Sequence, residues 1–337
     1  MRYPVIDMHC DLLSYLNDGP GRSPLDPQSR ASLPMMQQGK VILQVLAIYV
    51  PNTSTAPAIC RKQIQSFLHL QQHYKNYIQA KETPLLSEDR DPSLIHIMAA
   101  FENAAGFCAD SDPITSALAS LELLQKQLGS IAYISLTWDG ENRYGGGIGS
   151  PTGLKEDGKR LLESMNEKQI PVDISHASDY LAYDIFNLIH KKNMTIPVLA
   201  SHSNMRAITP MARNLSDELI KELIHRKGLI GINFFRHFSG GKQARALSEH
   251  IQHALSLGAE DVLCCGADFF EDADPSYIKE KYKSTDCFYQ ELSNSACYPH
   301  FFDILEEELS LQKSIIEKIA YKNAHFFLTK YGYIDKL

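Results

Sequence analysis

The chain has 337 residues, with 33 Lys plus Arg against 40 Asp plus Glu and a formal net charge of −7. Hydrophobic residues make up 44% and charged residues 22%, which is typical of a folded protein and excludes a largely disordered chain. The acidic balance disfavours a general nucleic-acid-binding surface, and the length fits either two ordinary domains or one large α/β barrel.

No segment of the sequence predicts a membrane span. The longest apolar run, from Val41 to Val50, is interrupted by Gln44 and is far shorter than the roughly 20 residues of a membrane helix. Residues 1–7 lack the apolar stretch of a signal peptide, and the tail from Lys330 is too polar for a lipid-anchor signal. We therefore expect a cytoplasmic protein with no membrane partner.

The seven cysteines do not form a disulfide pattern. Their number is odd, no C-x-x-C pair occurs, and Cys264 and Cys265 are adjacent inside an apolar run. We expect reduced, mostly buried thiols.

Eight short apolar runs alternate with segments of helical periodicity. The predicted strands are Val5 to Asp11, Val41 to Val50, Ile95 to Glu102, Ile131 to Trp138, Ile170 to His176, Pro197 to Ser203, Leu229 to Phe235 and Val262 to Phe269. The predicted helices are Ile59 to Tyr77, Ser116 to Leu128, Leu154 to Lys168, Asp179 to Lys191, Asp217 to Lys227 and Arg245 to Leu257. Such alternation predicts an α/β fold, a (β/α)8 TIM-type barrel, and the alternative is a doubly wound open sheet.

The ends of several elements carry further signals. Ser178 and Thr152 are expected helix N-caps, and Ser216 supplies part of a capping box. The irregular stretch from Glu271 to Tyr298 predicts a long loop over the barrel mouth, and Phe301 to Tyr331 predicts a C-terminal helical extension.

A single domain over residues 1–337 is expected. No internal repeat and no linker rich in Pro, Gly or Ser divides the chain. The barrel would occupy about residues 5–270, and the loop and helical extension would occupy 271–337.

Six ionisable side chains fall at the predicted carboxyl ends of five strands. They are His9, Asp11, Glu102, His176, His202 and Asp268. The active sites of such barrels lie at these strand ends, so we expect the six side chains to converge on one mouth. Alternation along the first strand puts His9 and Asp11 on the same face and sends Cys10 to the other, which makes Cys10 a poor ligand candidate.

Three carboxylates in one partly dry pocket repel one another unless a cation neutralises them. A dinuclear metal centre resolves this conflict, and imidazole and carboxylate groups are ligands that zinc accepts. Three histidines favour zinc over magnesium. A single His-x-Asp pattern is weak evidence because it often occurs by chance, but the six residues together predict a metal site.

The other helical histidines are expected to be solvated or to serve in packing. His250 and His253 stand three apart on a predicted surface helix. The others in predicted helices are His69, His73, His190 and His225.

The motifs around the six residues resemble those of the membrane dipeptidase family, also called renal dipeptidase, which are dinuclear zinc peptidases on a (β/α)8 barrel. The similar segments are Asp7-Met8-His9-Cys10-Asp11-Leu12, Val172-Asp173-Ile174-Ser175-His176-Ala177-Ser178, Ala200-Ser201-His202-Ser203 and Gly266-Ala267-Asp268-Phe269. Weaker similarity covers Arg213-Asn214, Gly231-Ile232-Asn233-Phe234-Phe235 and Asn323-Ala324.

This resemblance implies a set of metal ligands for two Zn²⁺ ions. His9 and Asp11 would bind one ion, His176 and His202 would bind the other, and Glu102 would bridge them.

The resemblance also implies catalytic and substrate-binding residues. Asp268 would orient the bridging water or shuttle its proton, and Arg213 would pair with the carboxylate of a dipeptide. A salt bridge at a helix entry is the alternative role for Arg213. Trp138 stands where many members of the family have a histidine that stabilises the tetrahedral intermediate, so it would provide an indole N–H or an apolar wall.

Two further positions differ from the pattern of the family. Its Glu-Gly stretch reads Glu102-Asn103 here, and its Asp-Gly reads Phe270-Glu271. Both departures lie beside expected site residues, which suggests a changed substrate preference.

We therefore expect a zinc-dependent hydrolase of dipeptides that uses a metal-bridging water. The alternatives are another barrel amidohydrolase or phosphoesterase, which commonly opens with His-x-His, and a non-catalytic metal-binding relative. The expected partner is a small dipeptide substrate, and a homodimer is compatible with the sequence.

Overall fold

The computed structural model describes residues 3–79, 83–87, 90–271 and 286–334, and its strands close into a parallel barrel. The strands are β1 Val5–Cys10, β2 Val41–Tyr49, β3 His96–Glu102, β4 Ile131–Ser135, β5 Val172–Asp173, β6 Val198–Ala200, β7 Leu229–Ile232 and β8 Leu263–Cys265. Each pairs with the next in chain order, and β8 pairs with β1. The predicted (β/α)8 barrel is confirmed, and the closure excludes an open sheet.

Several strands are shorter than the apolar runs that predict them. The β5 ladder ends at Asp173 although the apolar run continues to His176, and β8 ends at Cys265 although its run continues to Phe269. In both cases the chain leaves the sheet and its next residues form the rim of the barrel, here called the carboxyl mouth. Polar side chains on this rim can therefore turn inward without interrupting the hydrogen-bonded ladder.

Helices follow the strands around the barrel. They are α1 Leu12–Asn17, α2 Leu33–Gln38, α3 Ala56–His73, α4 Ile114–Leu128, α5 Glu156–Glu167, α6 Asp179–Lys191, α7 Asp217–Arg226, α8 Arg236–Ser239, α9 Ala246–Ser256, α10 Tyr298–Leu309, α11 Lys313–Glu317 and α12 Asn323–Lys330. Ser178 and Ser216 cap α6 and α7 as predicted, each accepting a backbone N–H three residues on. The prediction for Thr152 is wrong, because α5 begins only at Glu156 and the Thr152 hydroxyl donates to Glu141.

Two apolar layers lie on opposite sides of the strands. The outer layer fills the space between strands and helices with residues such as Phe67 and Ile185. The inner layer fills the barrel below the mouth with residues such as Met8, Met98 and Tyr133. Burial on both faces explains why the strands read as near-continuous apolar runs.

The C-terminal segment closes the amino end of the barrel. Ala324, Phe327 and Leu328 of α12 pack into the inner layer and are here called the floor. Next to them, the Asn323 side chain donates 2.8 Å to the carbonyl of Leu263, the first residue of β8. The predicted helical extension is confirmed, and a π-helical turn at Lys318–Lys322 joins α11 to α12.

The predicted loop over the mouth lies partly outside the described residues, which omit 272–285. Its described end is buried at Cys287 and Phe288. The Phe288 ring lies 5.3 Å from the ring of Phe269 and 5.2 Å from that of Phe270, measured between centroids. This part of the loop therefore covers the carboxyl end of β8.

Two expectations about buried groups have different outcomes. All seven cysteines are described, and all are buried and free, as expected. His250 does not lie on the surface, because it is fully buried and its Nε2 lies 2.9 Å from the carbonyl oxygen of Ser239. Burial lowers the pKa of His250 to about 4, and its Nδ1 accepts the backbone N–H of Met205, so its role is structural.

No helix within the described residues is long and apolar enough to cross a membrane.

Candidate metal centre

The structure brings all six predicted side chains together at the carboxyl mouth. The candidate ligand atoms of His9, Asp11 and Asp268 lie within 4.8 Å of one another, and so do those of His9, Glu102 and His202. His176 joins them because its Nε2 lies 2.9 Å from Nε2 of His202. Residues from five strand ends thus form one cluster, while Cys10 belongs to the outer apolar layer as expected.

Glu102, the last residue of β3, stands at the centre of this cluster. Its Oε2 lies 3.4 Å from Nε2 of His9, while its Oε1 lies 2.8 Å from Nε2 of His176 and 3.8 Å from Nε2 of His202. The carboxylate therefore turns one oxygen toward each half of the cluster. This is the arrangement that a bridging carboxylate requires.

The ionisable groups of the cluster perturb one another strongly. Burial and the charge of Glu102 raise the pKa of Asp11 well above its usual range. Burial also opposes ionisation of Glu102, but His9 and His176 outweigh it and hold the pKa of Glu102 below its usual range. Burial raises the pKa of Asp268, and Glu102 raises it further. The histidines therefore compensate the negative charge of Glu102, but that of Asp11 and Asp268 only in part.

Several polar atoms at the centre have no hydrogen-bond partner among the residues that the structure describes. Nε2 of His9, Oδ1 of Asp11 and Oε2 of Glu102 are all buried without one. Buried polar groups are nearly always hydrogen-bonded, so three such atoms in one place call for an explanation. A cation bound by imidazole nitrogen and carboxylate oxygen satisfies all three, and the residues present fit zinc.

The partners of two histidines determine which ring nitrogen carries the proton. The Tyr133 hydroxyl donates to the carbonyl of Met8 at 3.0 Å, so at 2.7 Å it must accept from Nδ1–H of His9. Nδ1 of His176 lies 3.1 Å from Oδ1 of Asp139, which as a carboxylate accepts. Nδ1 of each histidine is thereby committed to its partner, which leaves Nε2, the nitrogen that faces Glu102, as the atom that a metal ion would bind.

Tyr133 and Asp139 are functional partners that sequence reasoning missed. Tyr133 lies on β4, far along the chain from His9, so no local spacing connects the two residues. Asp139 follows Trp138 directly, and a carboxylate near a strand end was the only signal available for it.

Asn103 explains one departure from the family pattern. Its φ is 90°, on the side of conformational space that glycine enters freely and asparagine tolerates better than most residues. Its side chain donates to the carbonyl of Val50 and to Asn52, and it accepts from Ala105 N–H and from Asn142. These bonds tie the loops after three strands together directly behind Glu102.

Asp268 is held in a strained conformation. Its φ is 64°, which is uncommon for a residue other than glycine, and its backbone N–H donates to the carbonyl of His9. Oδ2 accepts from the side chain of Asn233 at 2.8 Å, and Oδ1 lies 3.5 Å from Nε2 of His9. One oxygen is therefore fixed by Asn233, and the other faces the cluster.

The predicted substrate residues lie beside the cluster. Arg213 is 4% exposed and donates to Ser203 and to the carbonyl of His202, and its Nε has no hydrogen-bond partner. Within the described ranges no carboxylate forms an ion pair with it, so the alternative of a helix-entry salt bridge lacks support. The partly exposed Trp138 ring lies 5.0 Å from that of Tyr49 and 6.1 Å from that of His176.

Known proteins share part of this sequence. An uncharacterized protein in the pqqA 5' region of Klebsiella pneumoniae is 26% identical over 195 residues, covering 53% of this chain and 67% of that protein. The dipeptidase tcpJ of Claviceps purpurea (strain 20.1) is 30% identical over 131 residues, covering 38% of this chain but only 29% of that protein.

A solved structure shares the fold over nearly the whole chain. It is a metallo peptidase from Rhodobacter sphaeroides liganded with a phosphinate mimic of the dipeptide L-Ala-D-Ala. Its TM-score is 0.80 at 20% identity, and the match covers 98% of this chain and 100% of that chain. The family model described as membrane dipeptidase (Peptidase family M19) matches residues 1–326. The chain therefore belongs to the membrane dipeptidase family.

Proposed function

We propose that this protein is a dinuclear zinc dipeptidase. The observation that carries the proposal is the position of Glu102, whose two oxygens face different histidines while Oε2 lacks a hydrogen-bond donor. A carboxylate that holds two cations explains both features, whereas a purely structural glutamate would be hydrogen-bonded.

In this proposal each half of the cluster holds one ion. His9 and Asp11 would hold one zinc together with Glu102, and His176 and His202 would hold the other together with Glu102. Two bound zinc ions would polarise the scissile carbonyl and supply a water of lowered pKa.

Asp268 performs the proton transfer. It accepts the proton that the attacking water releases as the C–O bond forms, and it donates this proton to the leaving amine as the C–N bond breaks. The hydrogen bond from Asn233 to Oδ2 fixes the orientation of the carboxylate, so that Oδ1 points toward the cluster and can exchange the proton there.

Arg213 binds the substrate carboxylate in this proposal. Its guanidinium is buried and forms no ion pair with a carboxylate of the described residues, and such a group binds a planar anion through two N–H donors. Trp138 forms a wall of the same pocket beside His176. A short peptide with a free C-terminus is therefore the proposed substrate class.

The test combines metal analysis with a dipeptide hydrolysis screen. The protein reconstituted with zinc should hold about two ions per chain, and it should lose hydrolysis with chelator and regain it with zinc. A protein that binds one ion or none would contradict the dinuclear centre. A protein that binds two ions but cleaves none of a broad set of dipeptides would contradict the activity.

A further inference from the structure

A chain of buried hydroxyl groups connects Asp173 to His202. Asp173, the last residue of β5, is 2% exposed, and its Oδ1 accepts from the Ser175 hydroxyl at 2.9 Å. The Ser175 oxygen lies 3.2 Å from the Ser201 hydroxyl, which lies 2.7 Å from Nδ1 of His202. These residues are all buried and run from the sheet to the rim of the mouth.

The direction of each hydrogen bond in this chain follows from its acceptor end. Oδ1 of Asp173 already accepts the backbone N–H groups of Ser175 and Ser201, so it acts as an acceptor and the single hydroxyl proton of Ser175 points to it. For both remaining contacts to be hydrogen bonds, the Ser175 oxygen accepts from the Ser201 hydroxyl and the Ser201 oxygen accepts from Nδ1–H of His202. Nδ1 of His202 therefore carries the proton, and its Nε2 is an unprotonated acceptor.

That Nε2 faces the metal cluster. It lies 2.9 Å from Nε2 of His176, whose Nδ1 contacts Asp139 and whose Nε2 also faces Glu102. Metal ligation requires both of these nitrogens to be unprotonated, and at this distance they would then repel each other unless a cation lay near both. The direction of the hydrogen bond between Ser175 and Asp173 thus determines which nitrogen of His202 is available to bind a metal ion at the mouth.

We propose that Asp173 is a positioning residue that acts through Ser175 and Ser201 to hold the proton of His202 on Nδ1 and to make Nε2 a metal ligand. This inference rests on the proposed metal centre. His9 and His176 contact their partners directly, whereas His202 depends on a relay of two serines. Removal of one serine hydroxyl should therefore weaken zinc binding at the half of the centre that contains His202.

Asp173 also has a structural role, which the test must separate from this one. Its Oδ1 accepts the backbone N–H of Ser201 at 2.7 Å, and its Oδ2 accepts from Ser135 at 2.6 Å. Both bonds tie neighbouring strands together and persist when the Ser201 hydroxyl is removed. Ser201→Ala therefore breaks the relay, together with a contact between Ser201 and Tyr133, and leaves both bonds of Asp173 in place. Ser135→Ala is the matched control, because it removes a buried bond to the same carboxylate outside the relay.

The experiment reads the proton position directly. The metal-stripped full chain, labelled with ¹⁵N-histidine, should show His202 protonated on Nδ1 in the wild type, in Ser135→Ala and in Ser201→Thr, which keeps the hydroxyl. In Ser201→Ala the proton should shift toward Nε2. A zinc titration should show the affinity of one of two sites lowered about 10- to 100-fold in Ser201→Ala and restored in Ser201→Thr.

Two results would overturn the inference. One is a wild-type spectrum with the His202 proton on Nε2, which needs no variant to fold. The other is Ser201→Ala with its proton on Nδ1 and both zinc affinities unchanged. Because the spectrum is recorded without metal or substrate, it tests the relay even if the dipeptidase activity proves absent.

Discussion

The two ends of the barrel are built from opposite kinds of residue. At the floor, Phe327 and Leu328 are buried among apolar neighbours, and Asn323 beside them donates to backbone carbonyls. At the mouth, the centre holds buried polar atoms without hydrogen-bond partners, including those of His9 and Glu102. Unpaired buried polar groups lower the stability of a fold. We infer that the floor stabilises the barrel, whereas the mouth lowers its stability because the residues there serve function.

The largest effect is expected at the mouth, in Asp268→Asn. If Asp268 transfers the proton, kcat should fall about 10²- to 10⁴-fold while KM and zinc content stay nearly constant. Steady-state kinetics and metal analysis on the same preparation check this. A variant that arrives without one zinc would make Asp268 a ligand, and nearly full activity with both ions would place the proton relay elsewhere.

The matching change at the floor is Phe327→Ala. Phe327 is 2% exposed, so its truncation should lower the free energy of unfolding by about 3–5 kcal/mol while KM and zinc content stay unchanged. Chemical denaturation measures the loss. The neighbouring Phe326 is 62% exposed, and Phe326→Ala should cost little. A Phe327→Ala variant with unchanged stability but altered KM would contradict the assignment of stability to the floor and function to the mouth.

A smaller effect is expected for substrate recognition in Arg213→Ala. Loss of charge-assisted hydrogen bonds to the substrate carboxylate should cost about 1.5–3 kcal/mol, or about 10- to 150-fold in KM for free dipeptides. C-terminally amidated dipeptides should be affected far less. Arg226→Ala is the control, because Arg226 pairs with Glu222 on its own helix α7. Equal losses on both substrates would return Arg213 to a structural role.

The smallest predicted effect is the pH dependence of zinc binding. Burial opposes protonation of His9, but Glu102 and Asp268 outweigh it and raise the pKa of His9 to about 10. Zinc must displace this proton, so affinity should rise roughly tenfold per pH unit between about pH 6 and 8. Calorimetry in buffers of different ionisation enthalpy counts the released protons. An affinity that does not change with pH would mean that His9 is neutral before zinc binds.

The barrel and the position of its polar mouth could be predicted from the sequence. Apolar runs alternating with helical periodicity predicted the barrel, because strands buried on both faces need such runs. Polar residues at the ends of those runs then predicted the mouth, as at His176 and His202. The covering of the amino end by α12 was predicted only as a helical extension, since periodicity shows that a helix has an apolar face but not what that face contacts.

The partners of the site residues could not be predicted in this way. Tyr133 and Asn233 meet His9 and Asp268 through contacts between different strands, which no local spacing encodes. The expectation of a surface position for His250 was wrong for the same reason. The single domain over residues 1–337 stays a prediction.

The central claim is that Glu102 holds two metal ions, and zinc stoichiometry in Glu102→Gln tests it most directly. The substitution keeps the side-chain volume but removes the charge facing both halves of the cluster, so the variant should bind at most one zinc tightly. Glu271→Gln, which changes a neighbouring carboxylate paired with Arg22, should keep two. Two zinc ions bound by Glu102→Gln with unchanged affinity would contradict the account.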